Sequence, residues 1–109
     1  MEKFSLEALG RDHLERAAAG NGRSSHTVYG GHEHVLRQTV LALTTGTALA
    51  EHGNPGEATV LVLRGRVRLT ADEVSWEGRS GDLLVVPRAR HGLEALEDSV
   101  IVLTVAKAL

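Results

Sequence analysis

The 109-residue sequence contains no cysteine, which excludes disulfide bonds, zinc–thiolate sites and thiol nucleophiles together. It also has no apolar stretch near the roughly 20 residues that a membrane span needs. There is no excess of positive charge, because the formal net charge is −2, and this argues against a nucleic-acid-binding surface. The charged residues spread over positions 1–23 do not fit the core of a signal peptide. We therefore expect a cytoplasmic protein that binds neither nucleic acid nor a membrane.

The pattern of residues divides the chain into an N-terminal helix with its linker over 1–22 and a β-domain over 23–109. Ser5 is a suitable N-cap, and Leu6, Leu9 and Leu14 recur near helical spacing. The glycine-rich run over 20–22 predicts the end of the helix. A helix this short is marginal on its own, so we expect it to pack on the body of the protein or on a partner chain.

After residue 22, short segments rich in Val, Leu and Thr alternate with glycine-containing breaks. In one of them, Val67 and Leu69 are expected to face inward, with Arg68 facing solvent. The final apolar segment should be covered on both faces. Regularly spaced short strands predict an antiparallel sandwich or barrel. The predicted strands cover residues 26–29, 36–44, 48–51, 59–63, 66–70, 73–77, 82–86, 92–96 and 100–106.

Two blocks of sequence carry a family resemblance. In residues 46–65, Gly46 is followed by His52, and a Pro-Gly-Glu turn then leads into an apolar strand that ends at Gly65. In the second block, the apolar run over 81–87 is followed by His91. These blocks resemble the cupin family, specifically small RmlC-like members. The resemblance implies an all-β, antiparallel jelly-roll barrel, here with a short N-terminal helix.

Cupins are often dimeric, so the resemblance implies a homodimer. Their central pocket frequently holds a divalent metal. Members include isomerases, epimerases, dioxygenases and decarboxylases, as well as proteins that only bind or store. The resemblance therefore narrows the fold far more than the chemistry.

The sequence departs from the metal-binding pattern that the resemblance implies. That pattern has two histidines two residues apart, a carboxylate four residues later and a histidine from the second block. Here His52 and His91 are present, Asn54 stands at the second histidine position and Ala58 at the carboxylate position. Glu57 is one residue away, and a one-residue offset on a strand turns a side chain to the other face.

Two imidazoles therefore remain as candidate metal ligands, His52 and His91. They would hold a divalent ion (Zn, Fe, Ni or Mn) only with water or substrate completing the coordination sphere. Without a metal, His52, Asn54 and His91 form a polar cluster in an apolar cup, which is typical of a small-molecule site. Gln38 and Tyr29 are further candidates for this pocket.

Two other features have less definite meanings. His32 and His34 form a second pair beside a glycine turn, where they are either ligands of a different site or simply solvated. Trp76 is expected at a sheet edge or a dimer contact.

Three functions remain open. The first is a cupin that binds a small organic ligand in the barrel, with a degenerate or weak metal site. The second is a metal-dependent enzyme of isomerase or oxygenase type that uses His52 and His91. The third is a structural barrel without a ligand, its interior filled by Val60, Val62, Val85 and Leu93.

Overall fold

The computed structural model describes residues 1–53 and 56–107, apart from the side chains of Glu51 and His52. Within these residues the chain forms one helix followed by nine strands, and each predicted strand has a counterpart. No helix in this part of the chain is long and apolar enough to cross a bilayer. The elements are α1 (Leu6–Ala19), β1 (Arg23–Tyr29), β2 (Leu36–Leu43), β3 (Ala48–His52), β4 (Gly56–Arg64), β5 (Arg66–Ala71), β6 (Val74–Arg79), β7 (Leu83–Val86), β8 (His91–Ala95) and β9 (Ser99–Lys107).

The strands form two antiparallel sheets that enclose the main core. The five-stranded sheet has the order β1-β2-β9-β4-β7 and the four-stranded sheet the order β3-β8-β5-β6. Their inner faces pack large apolar side chains against one another, including Leu43, Val62, Leu69 and Ile101. Val67 and Leu69 are both buried on the inner face of β5, as the alternation predicts. The all-β jelly-roll prediction is confirmed.

The N-terminal helix covers part of the outer face of the five-stranded sheet. The side chain of Ser5 caps it by accepting a hydrogen bond from the backbone N–H of Ala8. Ala17 packs with Val40, Ala42 and Val100 in a second apolar cluster. The prediction that β9 is covered on both faces is confirmed, because Val100 faces the helix while Ile101 faces the main core.

Gly10 permits the close approach of α1 to the sheet. A Cβ added to this glycine would lie 2.8 Å from Cγ1 of Val100, which is too short for a van der Waals contact. The helix is therefore docked on the body of the protein, one of the two packings expected from its length.

One end of the barrel is closed by hydrogen-bonded turns. The carboxylate of Asp98 accepts hydrogen bonds from the backbone N–H of Thr45 at 2.8 Å and from its hydroxyl at 2.9 Å. The backbone N–H bond, then the hydroxyl bond, and then the charge of Arg64 lower the pKa of Asp98. Nearby, the hydroxyl of the buried Ser99 accepts from the N–H of Arg66 at 3.1 Å. These polar groups fix the turns at this end of the barrel.

Candidate functional site

The pairing of the two sheets shows which residues surround the other end of the barrel. A Cβ added to Gly78 would lie 3.2 Å from a methyl of Val62, so these two positions face each other across the core. Val74 lies four residues before Gly78 on β6 and pairs with Ala71 of β5. Ala71 pairs on its other side with His91 of β8. Four residues back along β4, Ala58 is aligned with Val86. His91 on one sheet and the row of Ala58 on the other therefore lie at the same end of the barrel, which we call the open end.

Among the described residues, His91 is the buried polar side chain at the inner face of this end; Thr39 and Arg37 share this face, on β2, but are not buried. His91 begins β8, is 6% exposed, and shares its cross-strand row with Ala71. Its Nδ1 lies 3.0 Å from the backbone carbonyl of Ala89. Because a carbonyl oxygen only accepts, the proton of this hydrogen bond belongs to Nδ1, and the neutral ring then carries its lone pair on Nε2. That arrangement orients an imidazole to accept a hydrogen bond or to bind a metal.

The turn before β8 creates this arrangement. The backbone N–H of Ala89 donates to the carbonyl of Pro87 at 2.9 Å, which tightens the connection from β7. The tight turn directs the carbonyl of Ala89 toward the ring two residues later.

The backbone register pairs His52, the last residue of β3, with His91, after an irregularity that follows Leu49. The side chain of His52 and the whole of Asn54 lie outside the described residues. Their assignment to the pocket, and that of His52 to a metal, therefore stay predictions.

The carboxylate position of the family pattern is part of the apolar wall. Ala58 is 7% exposed and is paired with Val86 on one side and Val105 on the other. Glu57 is exposed and points to the opposite face of β4, since the pairing shows no bulge before Val62. Glu57 and Ala58 therefore project from opposite faces of β4, as the one-residue offset predicts.

These residues also test the fit of a resident metal. Among the side chains that the structure describes, no group of three or more His, Asp or Glu could hold an ion. Ala58 offers a methyl group where a fully liganded centre needs an oxygen. Of the two predicted histidine ligands the structure describes the side chain of His91, so a two-histidine site completed by water or by a ligand stays a prediction.

The assignment of Gln38 and Tyr29 to the barrel pocket is wrong. Gln38 donates from Nε2 to the hydroxyl of Thr104 at 3.3 Å, on the face of the sheet that packs against the helix. Tyr29 packs against His34, with ring centroids 4.8 Å apart and ring planes tilted by 40°. With Gln38 and Phe4 it lines an outer depression of about 370 Å³. Alternation along β2 puts Gln38 on one face or the other, and only the position of α1 decides that this face is the outer one.

Three other histidines have described contacts, and none of these contacts is with His91. His34 contacts Tyr29 beside the turn between β1 and β2. His13 on α1 is 8% exposed, lies 2.7 Å from the hydroxyl of Ser24 through Nδ1, and stacks on His26. These contacts fasten the helix to β1.

Sequence reasoning missed two residues of the inner face. Val74 and Trp76 are on β6, an edge strand as expected for Trp76, but they are aligned with Ala71 and Leu69 of the core face. The sequence signal for their inward orientation is the alternation of Val74, Trp76 and Gly78 along β6. This alternation is weak because the strand is rich in polar residues.

The third hypothesis also needs a correction. Val60, Val62 and Leu93 belong to the core between the sheets, whereas Val85 is 72% exposed. Val85 alternates with the inward-facing Leu84 and Val86 on β7, so it points outward.

Comparison with known proteins agrees with this architecture. A family model described as a cupin domain matches residues 39–106, more than half of the chain. No curated protein matches the sequence. A conserved protein of unknown function from Streptococcus pyogenes, SPY1581, has a similar structure, with a TM-score of 0.73 and 30% identity over 80% of this chain and 75% of that one.

Two further solved structures share the fold at lower identity. A cupin superfamily protein from Desulfitobacterium hafniense has a TM-score of 0.74 and 17% identity, covering 81% of this chain and 80% of that one. An RmlC-like cupin from Shewanella frigidimarina has a TM-score of 0.71 and 20% identity, covering 82% and 79%.

Proposed function

This chain belongs to the cupin domain family, and we propose that it binds a small organic ligand at the open end of its barrel. The observation that carries the proposal is the buried imidazole of His91, held by Ala89 at the inner face beside the buried apolar residues Ala71 and Leu93. A few oriented polar groups within an apolar concave surface are the usual composition of a small-molecule site.

The apolar part of the proposed site is formed by both sheets. Ala58 and Val86 belong to one sheet, and Ala71 and Leu93 to the other, and all four are buried. Against this wall the apolar surface of the ligand itself is removed from water, which contributes about 25 cal/mol per Å². His91 contributes orientation, because a ligand O–H or N–H directed at its lone pair gains a hydrogen bond in a water-poor setting.

The test is a thermal-shift screen of the purified protein against a library of small organic compounds, followed by calorimetric titration of each compound that raises Tm. A ligand at ten times its Kd stabilises the folded state by about 1.4 kcal/mol. For a chain of this length that corresponds to an increase in Tm of about 6 °C.

His91→Gln is the informative variant, and His34→Gln is the matched control, because His34 contacts Tyr29 on the outer surface. We expect the shift to disappear in His91→Gln and to persist in His34→Gln. If no compound shifts Tm, or if His91→Gln responds as the unmodified protein does, the ligand-binding proposal is wrong and a structural barrel is favoured.

A second candidate is a metal-dependent cupin enzyme, of isomerase or oxygenase type, that uses His52 and His91. It is supported by the pairing of these two backbone positions and by the hydrogen bond that leaves the lone pair of His91 on Nε2. A bound divalent ion would supply Lewis-acid chemistry. The chain's own residues would hold it through the imidazoles and exclude water with the apolar wall around Ala58.

Metal analysis distinguishes the two candidates. The enzyme proposal requires a stoichiometric divalent ion after purification, and a lower Tm after chelation in the unmodified protein but not in a His52→Ala/His91→Ala variant. Substoichiometric metal with an unchanged Tm after chelation would contradict it and would leave metal-free binding as the better proposal.

We also propose that the protein acts as a homodimer. Support comes from the outer face of β7, where Leu83 and Val85 are 58% and 72% exposed, next to the partly buried Leu61 and Leu63. The helix covers the neighbouring part of this face and does not extend to β7. Apolar surface of this kind is commonly covered in an assembly.

A further inference from the structure

A cavity of about 430 Å³ lies outside the barrel, where the first half of α1 runs beside β4. We call it the helix groove. Its apolar lining consists of Leu6 on the helix, Leu63 on β4 and Val100 on β9. Gly10 also lines it, and the lack of a side chain there lets α1 approach Val100 closely. The volume is within the range of known small-molecule sites, about 300–1,000 Å³.

The helix groove belongs to the outer face of the five-stranded sheet. Leu6, Leu63 and Val100 are part of the second apolar cluster, which α1 forms with that sheet. The core between the two sheets lies on the other side of β4, where Val62 faces inward. The groove is therefore separate from the barrel interior and from His91.

Three charged side chains line the same cavity, Glu7, Arg11 and Arg64. Nη1 of Arg11 lies 3.9 Å from Oε1 of Glu7, but these side chains are 63% and 90% exposed, so water screens the pair and Arg11 can accept another partner. Arg64 takes part in none of the ion pairs between described side chains. Asp98 interacts with the charge of Arg64 but accepts its hydrogen bonds from Thr45. The lining of the groove thus carries two guanidinium groups and one carboxylate.

We propose that the helix groove binds the anion of a medium-chain carboxylic acid. The alkyl tail packs against Leu6, Leu63 and Val100, and the carboxylate lies between the guanidinium groups of Arg11 and Arg64. A guanidinium presents paired N–H donors whose geometry matches a carboxylate. The apolar lining is wholly aliphatic, which suits an unbranched tail. This site is independent of the ligand proposed for the barrel.

A second protein chain is the alternative occupant, and two observations disfavour it. The exposed apolar residues that suit an interface between chains, Leu83 and Val85, lie on β7, and neither lines the groove. The groove itself combines a small apolar volume with an excess of positive charge. That combination complements a small amphipathic anion.

The test is an NMR titration of the ¹⁵N-labelled protein with butanoate, hexanoate and octanoate. We expect octanoate to shift the amide signals of Gly10, Arg11 and Leu63 and to leave those of Ala89 and His91 unchanged. Octanoate should bind with a Kd on the order of 1 mM. Each CH₂ group removed from water should tighten binding by up to roughly 4-fold, so affinity should rise along the series.

Arg11→Gln/Arg64→Gln is the main variant, and Arg16→Gln/Arg79→Gln is the matched control. Both remove one arginine from the helix and one from a strand, and neither Arg16 nor Arg79 lines the groove. We expect the main variant to weaken hexanoate and octanoate by roughly 2- to 5-fold for each arginine removed, the range of an exposed ion pair. The control variant should bind both as the unmodified protein does.

The neutral probe 1-hexanol separates the charge from the tail. It should bind more weakly than hexanoate to the unmodified protein and equally well to both variants. Circular dichroism shows whether each variant is folded.

Several results would overturn the inference. They are the absence of shifts in the groove at about ten times the expected Kd, shifts confined to the region of His91, and equal weakening in the main and control variants. Hexanoate that binds no better than 1-hexanol would exclude the role given to the arginines. If the groove signals change with protein concentration and not with octanoate, a second copy of the chain occupies the groove and the carboxylate site is excluded.

Discussion

Replacing Ala58 with glutamate should create the carboxylate that the family pattern has and this chain lacks. Ala58 is on the inner face at the open end, 7% exposed, between Val86 and Val105 of the neighbouring strands. A glutamate there would be directed toward the row of His91, whereas the natural Glu57 is not. Two histidines, one carboxylate and a water form an open zinc site.

The cost of this substitution follows from the burial of the position. An unpaired charge in an apolar wall destabilises a fold by about 3–5 kcal/mol. With an unfolding entropy of about 2.1 cal/mol/K per residue, this corresponds to a loss of about 13–22 °C in Tm. When free Zn²⁺ is at about 1,000 times its Kd, metal binding stabilises the folded variant by about 4 kcal/mol. This offsets most of the stability lost through the substitution.

Differential scanning calorimetry in chelator and in Zn²⁺ measures both effects. Ala58→Gln is the control, because it has nearly the same volume without the charge. We expect zinc to raise the Tm of Ala58→Glu far more than that of Ala58→Gln or the unmodified protein. If zinc affects all three alike, then position 58 does not converge with His52 and His91, and the assignment of the open end is wrong.

Three further predictions concern the closed end and the outer face. In chemical denaturation, Gly65→Ala should lower the free energy of unfolding by about 2 kcal/mol or more beyond the loss caused by Gly46→Ala. Both glycines have φ +86°, but only at Gly65 would an added Cβ clash, because it would lie 2.9 Å from Cα of Ser99. Equal losses in the two variants would contradict this. Asp98→Asn should lower stability at pH 6, and the difference from the unmodified protein should shrink as the pH falls below 3.8. A lowered pKa gives stability that is present above the ordinary value of 3.8 and lost as the pH falls through the folded-state pKa. A pH-independent difference in urea midpoint would refute this. Val85→Lys should convert the proposed dimer to a monomer in analytical ultracentrifugation, with little change in Tm. The control Val35→Lys, at a residue that is 45% exposed elsewhere on the surface, should leave the dimer intact. A dimer that survives Val85→Lys would exclude the outer face of β7 as the interface.

Local patterns predicted the elements of this fold because each depends on neighbouring residues. Ser5 caps α1 through a hydrogen bond three residues away, and the alternation of Val67 and Leu69 is a property of one strand. The same local logic correctly predicted that Glu57 and Ala58 point to opposite faces of β4. Such statements need only the period of a strand or helix.

Which face of a strand is inside could not be predicted in the same way. Gln38 and Val85 each alternate with apolar neighbours, and the sequence contains apolar residues on both faces of these strands. The position of α1 assigns Gln38 to the outer face, and the pairing of β4 with β7 assigns Val85 to it. Trp76 is the opposite case. It lies in a strand rich in polar residues, but its pairing with Leu69 assigns it to the inner face.

The sequence by itself thus determined a jelly-roll barrel with two histidines in its characteristic blocks and without the carboxylate of a complete metal site, because glycine turns, strand period and residue chemistry are local properties. Only the tertiary structure decided that His91 is held by Ala89 at the open end, opposite His52 in register. It also decided that Val74 lies in the row of His91 on the inner face and that Trp76 lies in the neighbouring row. These relations join residues on different strands, and they arise from the pairing and stacking of whole sheets.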